Sequence, residues 1–141
     1  MIRVNIHNEF DIQLNKSSIQ GLLENILSDN QYNTGSINII MTDDDTLNRM
    51  KKEYFNQDLY TDVIAFNIDD NPFEGEIYIS YDRIKDNAKK FSQSFNDELK
   101  RILIHGSLHL CGYDDQTPKD KSEMTSLEEN YLEKFREPIL S

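Results

Sequence analysis

Two histidines, His105 and His109, stand four residues apart in the string His105-Gly106-Ser107-Leu108-His109-Leu110-Cys111-Gly112-Tyr113-Asp114-Asp115. On a helix, four residues make just over one turn, so both imidazoles leave the same face and can converge on one ion. Gly112 comes seven positions after His105. Glycine readily ends a helix in a left-handed turn that reverses the chain, and such a reversal returns Asp114 or Asp115 toward the two rings. Two neutral imidazoles, one carboxylate and an open position describe a catalytic rather than a closed structural metal site, with water as the fourth partner. An ion held in that way acidifies water and polarises a phosphoryl or carbonyl oxygen. A plainer reading gives the same residues smaller roles, as core or interface histidines bonded to backbone and as two aspartates in a turn.

Written as H-x-x-x-H-x-x-G-x-x-D, the spacing resembles the long zinc motif of the metzincin proteases, whose third ligand falls ten residues after the first. That place is held by Asp115, so His105, His109 and Asp115 are the candidate metal ligands. The peptidase pattern H-E-x-x-H needs a glutamate directly after the first histidine as general base, and here Gly106 stands there. Glu98 is the nearest acid on the same helical face, two turns earlier and about 10 Å away along the axis. It suits orienting a ligand or meeting a basic partner better than attacking a substrate. Asp114 is the candidate general base. Cys111 reads as a small packed hydrophobe rather than a ligand, and His7 as a surface residue.

The elements that must position these groups follow from periodicity. Ile2, Val4 and Ile6 alternate with polar residues as in a half-buried strand, and Ser36–Met41, Thr61–Phe66 and Gly75–Ser80 read as three more. Ile19, Leu22, Leu23, Ile26 and Leu27 recur at helical spacing behind a Ser17-Ser18 cap. A second helix carries Leu47, Met50 and Tyr54 after the Thr42–Asp45 cap, and a third runs from Tyr81 toward Phe91. The histidine helix spans about Phe95 to Cys111 and is apolar nearly all round, hence central. Thr117-Pro118 opens a last helix with a Met124, Leu127, Tyr131 and Phe135 stripe and an acidic solvated face, closed by Pro138. The order predicts an α+β fold, a mixed sheet of about four strands packed with about five helices, as a single metal-dependent hydrolase domain over residues 1–141.

Composition narrows the function. Lys and Arg number 15 against 26 Asp and Glu, a net charge of −11, which excludes a non-specific coat for polyanions. One cysteine allows no internal disulfide, and no apolar run is long enough to span a bilayer. Together with an N-terminal segment lacking a signal-peptide core, this points to the cytoplasm. The stretch 81–101 carries Arg83, Lys85, Lys89, Lys90, Lys100 and Arg101 against four acids, a net +2, so a basic strip flanking the histidine helix is expected, with Arg49, Lys51 and Lys52 near it.

Three segments together, Thr61–Phe66, Gly75–Ser80 and Glu98-Leu99 leading into His105–Asp115, resemble the YbeY-type endoribonucleases of ribosomal-RNA maturation. The likeness covers roughly residues 47–132. It implies a small α+β fold binding one zinc ion per chain. The activity it implies is single-strand-specific RNA cleavage in 3′-end maturation of small-subunit ribosomal RNA and in ribosome quality control. Implied partners are single-stranded and ribosomal RNA and the small subunit or its assembly factors. Two positions depart from the family pattern: Asp115 stands where a third histidine is usual, and Phe55 follows Tyr54 where an arginine is common. Lys51 or Lys52 could take over that positive charge; otherwise the scissile phosphate must be stabilised mainly by the metal. The alternatives are a metal-dependent peptide or amide hydrolase and a non-catalytic ribosome-assembly factor whose metal serves folding.

Overall fold

The strand and helix order read from the pattern is the order found in the computed structural model, which describes residues 1–141. Strands β1 (Ile2–His7), β2 (Gly35–Thr42), β3 (Val63–Asp70) and β4 (Phe73–Ser80) form one sheet in the spatial order β1-β2-β4-β3. β1, β2 and β4 run parallel, and β3 lies antiparallel to β4 at the edge. The helices are α1 (Lys16–Asp29), α2 (Asp44–Phe55), α3 (Tyr81–Lys90), α4 (Phe95–Leu110) and α5 (Pro118–Lys134). The architecture is therefore the expected α+β one, a mixed four-stranded sheet with five helices. No helix is long and apolar enough to cross a membrane.

Successive strand residues face opposite ways, which decides what each face can hold. Along β4, Phe73, Gly75, Ile77 and Ile79 are buried, and the first three of these positions approach one another or α4: a Cβ on Gly75 would meet Leu110, and one on Gly106 would meet Ile77. Phe66 of β3 has the opposite parity and meets Tyr54 and Phe55 of α2 on the far side of the sheet. Ten residues of α4 are buried, and the helix packs against β3, β4, α1, α3 and α5. One cluster of 23 buried apolar residues joins the sheet to α1, α3, α4 and α5. At about 25 cal/mol per Å² of apolar surface, such burial is the main force holding α4 in place.

Three boundaries differ from expectation. The cap of α1 is Asn15, whose Oδ1 accepts from the Ser18 amide at 3.1 Å, and Ser17 and Ser18 fall inside the first turn. Asparagine and serine cap equally well, so composition could not rank them. β3 starts at Val63 rather than Thr61 and continues through the polar run to Asp70, while β4 begins at Phe73. Ladder bonds to β4 hold those polar residues as strand in spite of their loop-like composition. α5 ends at Lys134, with Phe135 as cap, before Pro138 is reached. The chain then turns back to bridge Leu140 to Leu14.

Candidate metal centre

Ser94 caps α4, its side chain accepting from the Asp97 amide at 3.0 Å, and places Asp97 and Glu98 in the first turn where the helix dipole favours acids. At the other end, the Tyr113 amide donates to the Leu108 carbonyl at 3.1 Å and the Gly112 amide to the His109 carbonyl at 3.0 Å. This is the paired bonding of a Schellman ending, with Gly112 at φ 99° as its left-handed residue. The reversal brings Asp115 back over the last two turns of α4.

Asp115 Oδ2 lies 3.5 Å from His105 Nε2 and 3.7 Å from His109 Nε2, and the two Nε2 atoms are 3.0 Å apart. Ligand bonds of about 2.0–2.2 Å in tetrahedral array put neighbouring donor atoms about 3.4 Å apart. The observed triangle has that size, and two imidazole nitrogens turned toward one point with a carboxylate oxygen suit a divalent ion of intermediate softness. The residues present therefore fit a catalytic-type metal site. The three sequence candidates are brought together. Asp114 is exposed, and its Oδ1 accepts from the Asp115 amide at 2.8 Å, so it braces the turn beside the triangle.

The sequence reading missed Glu128 of α5, assigned to a solvated acidic face but only 7% exposed. Its Oε2 sits 2.7 Å from His105 Nδ1 and its Oε1 3.6 Å from Arg101 Nη1. Arg101 and His105 lie on the same face of α4, and α5 packs there, so the acid is drawn in by a cation and a ring N–H. One signal was legible: Glu128 falls at helical spacing between Met124 and Tyr131, a carboxylate inside an apolar stripe.

Burial would depress the His105 imidazole, but the hydrogen bond and charge of Glu128, with Asp115 and Asp62 behind it, outweigh that and hold it above its ordinary value. His109 goes the other way, lowered by burial and by the positive charge of His105 against the pull of Asp115. Of the two rings, His105 therefore holds a proton the more readily, with Nδ1 facing the Glu128 carboxylate. A carboxylate at Nδ1 favours the tautomer that would leave Nε2 free to coordinate an ion, as carboxylate partners of metal-binding histidines do. Glu128→Ala should weaken divalent-metal affinity about 10- to 100-fold, read by competition with a chelating indicator. Glu128→Gln, which can still accept from Nδ1, should lose less.

A cleft of about 410 Å³ adjoins His105, lined among others by Asp62, Asn87, Glu98, Arg101 and Glu128. Burial, with the charge of Asp62 beside it, raises the Glu98 carboxyl above its ordinary value against the pull of Arg101 and Asn87. Burial likewise raises Asp62, opposed by His105. A carboxyl raised by folding binds its proton more tightly in the native than in the unfolded state, so its contribution to stability falls as pH rises through the native value. The metal-free protein should thus lose stability as pH climbs from the ordinary value of 4.5 into the range above it, more steeply than Glu98→Gln does. Urea unfolding of both proteins at a series of pH values reads the difference; parallel curves would remove Glu98 as the cause.

The expected basic strip is smaller than composition suggested. Lys100 is buried and donates to the Glu137 carbonyl at 2.7 Å, and Arg83 is taken up by Asp44 and Asp86, each at 3.1 Å. Lys85, Lys89 and Lys90 remain exposed. Lys51 lies over the Phe55 ring at 4.5 Å and Lys52 pairs with Asp58 at 3.5 Å; neither lines the cleft beside His105. His7 is exposed, and Cys111 is half-buried against the core with its thiol pushed up to about 12 by burial.

The family model described as Endoribonuclease YbeY matches residues 3–136 of the chain. Curated proteins named Endoribonuclease YbeY are similar to it. That of Flavobacterium johnsoniae is 39% identical over 136 residues, covering 96% of this chain and 97% of its own. That of Flavobacterium psychrophilum is 40% identical over 136 residues, covering 96% of each chain. Among solved structures, the solution structure of TM1509 from Thermotoga maritima superposes with a TM-score of 0.62 at 26% identity, covering 96% of this chain and 92% of that one. A match over nearly the whole length, on a sheet that carries the histidine helix in the same fold, leaves one assignment: the chain belongs to the Endoribonuclease YbeY family.

Proposed function

We propose that residues 1–141 act as a single metal-dependent hydrolase domain in the cytoplasm, cleaving single-stranded RNA in 3′-end maturation of small-subunit ribosomal RNA and in ribosome quality control. The observation that carries this reading is the convergence of His105 Nε2, His109 Nε2 and Asp115 Oδ2 within 4.8 Å, next to a cleft that His105 lines, in a chain of this family. Ribosomal RNA and the small subunit or its assembly factors are the partners this entails.

His105, His109 and Asp115 would hold one Zn²⁺ per chain, a choice supported by two imidazoles, one carboxylate and spacing of tetrahedral size. When bound, such an ion supplies Lewis acidity toward phosphoryl and water oxygens. The protein's own groups do the rest. Glu128 fixes the tautomer and ring plane of His105, and Arg101 balances the charge of Glu128. Asp114 braces the turn that aims Asp115, and as the exposed carboxylate beside the triangle it is the proposed proton acceptor. Arg101 is the one arginine of the cleft beside His105 and it faces Glu128, so a bound ion would supply most of the positive charge available to a scissile phosphate.

A purified sample treated with EDTA should lose cleavage of a single-stranded RNA oligomer and regain it with one equivalent of zinc. Cleavage indifferent to chelation would end the reading.

A further inference from the structure

The cleft beside His105 has a chemical character that selects what it can hold. Glu128 meets His105 at 2.7 Å and Arg101 at 3.6 Å, so the carboxylates of the lining without an ion-pair partner are Asp62 and Glu98. Glu98 is 3% exposed and forms no ion pair. The Asn87 amide donates to Asp62 Oδ2 at 3.3 Å and lines the cleft beside Glu98. An ionised carboxylate offers about four acceptor positions, so Glu98 keeps free acceptors facing the cleft. A ligand that brings N–H groups would satisfy those acceptors.

Three carboxylates against Arg101 and His105 make the lining unfavourable to phosphate, so the part of an RNA strand that suits it is a base and not the backbone. A volume of about 410 Å³ suits one nucleoside. Of the four RNA bases, guanine alone presents two adjacent N–H donors on one edge, N1–H and N2–H, which match the two oxygens of a single carboxylate. Phe91 lines the cleft and is 55% exposed; Lys90 Nζ lies 5.5 Å from its ring centroid, and a ring has a second face of the kind on which unpaired bases stack.

We propose that this cleft receives an unpaired guanine neighbouring the scissile bond, with Glu98 accepting from N1–H and N2–H, Asp62 as the adjacent acceptor, and Phe91 as the stacking surface. The inference rests on the endoribonuclease reading and adds a base preference to it.

Guanosine, adenosine and cytidine, which carry no phosphate, test it by titration into the metal-free protein followed by amide chemical shifts. Guanosine should bind at least tenfold more tightly than adenosine, as expected where one bidentate pair discriminates bases. In Glu98→Gln, checked for an unchanged fold by its amide spectrum, that ratio should fall to within about twofold. Phe91→Ala should weaken all three nucleosides. Equal binding of the nucleosides, no binding of guanosine, or a ratio unmoved by Glu98→Gln overturns the proposal. So does saturable occupation of the cleft by magnesium chloride alone that guanosine cannot displace, since the acids would then be holding a cation. RNA cleavage without base preference would sink the guanine site and spare the nuclease; guanosine binding without RNA cleavage would do the reverse.

Discussion

His109→Ala is expected to lower cleavage of single-stranded RNA by about a thousandfold. A bound divalent ion contributes several kcal/mol of charge stabilisation, and each 1.36 kcal/mol is a factor of ten in rate. Losing His109 Nε2 leaves one nitrogen and one oxygen, too few to keep the ion at working concentrations. The fold should survive, because His109 is only half-buried and meets His105 and Asp115 across the site instead of filling the core. Elemental analysis should show the metal gone, and the melting temperature should match that of metal-free wild type. A variant that retains a tenth of the cleavage would remove His109 from the ligand set.

Gly106→Glu restores the H-E-x-x-H spelling of a metallopeptidase, and we expect it to unfold the protein instead of creating one. Position 106 faces the sheet: a Cβ there would stand 3.1 Å from Ile77 Cγ2 and 3.5 Å from Val63 Cγ2. A glutamate would force α4 off β3 and β4, at a cost of about 1–3 kcal/mol for overpacking. It would also bury a carboxylate with no partner, which adds several kcal/mol. A total on the order of 4 kcal/mol or more is a large share of the 5–15 kcal/mol that holds a typical domain. Urea unfolding and soluble yield read the loss, and a casein assay reads the alternative. A variant as stable as wild type, or one that hydrolyses casein, would contradict this placement. Nothing in the geometry favours the peptidase option: 106 holds no carboxylate, and the packing against Ile77 and Val63 leaves little room for one.

The convergence of His105, His109 and Asp115 was legible because it is nearly local. His105 and His109 are one turn apart, and Gly112 ends the helix within three residues of His109, so helix geometry and one left-handed residue suffice to bring Asp115 back. The order of strands and helices was legible for a similar reason: periods of two and of three to four residues survive in the chain whatever it packs against. Boundaries failed where partners decided. The polar run Asn67–Asp70 became strand because β4 offered it a ladder, and Ser17-Ser18 lost the cap to Asn15.

The sequence by itself determined the two imidazoles, the bend and the returning carboxylate, because these depend on backbone geometry within eleven residues. Only the tertiary structure decided that Glu128, 23 residues from His105, would hold its Nδ1, that Lys100 would be buried instead of lining a basic strip, and that Asp62, Asn87 and Glu98 would wall one cleft. Those choices follow from which helix faces the core covers, and that is settled by packing among elements far apart in the chain.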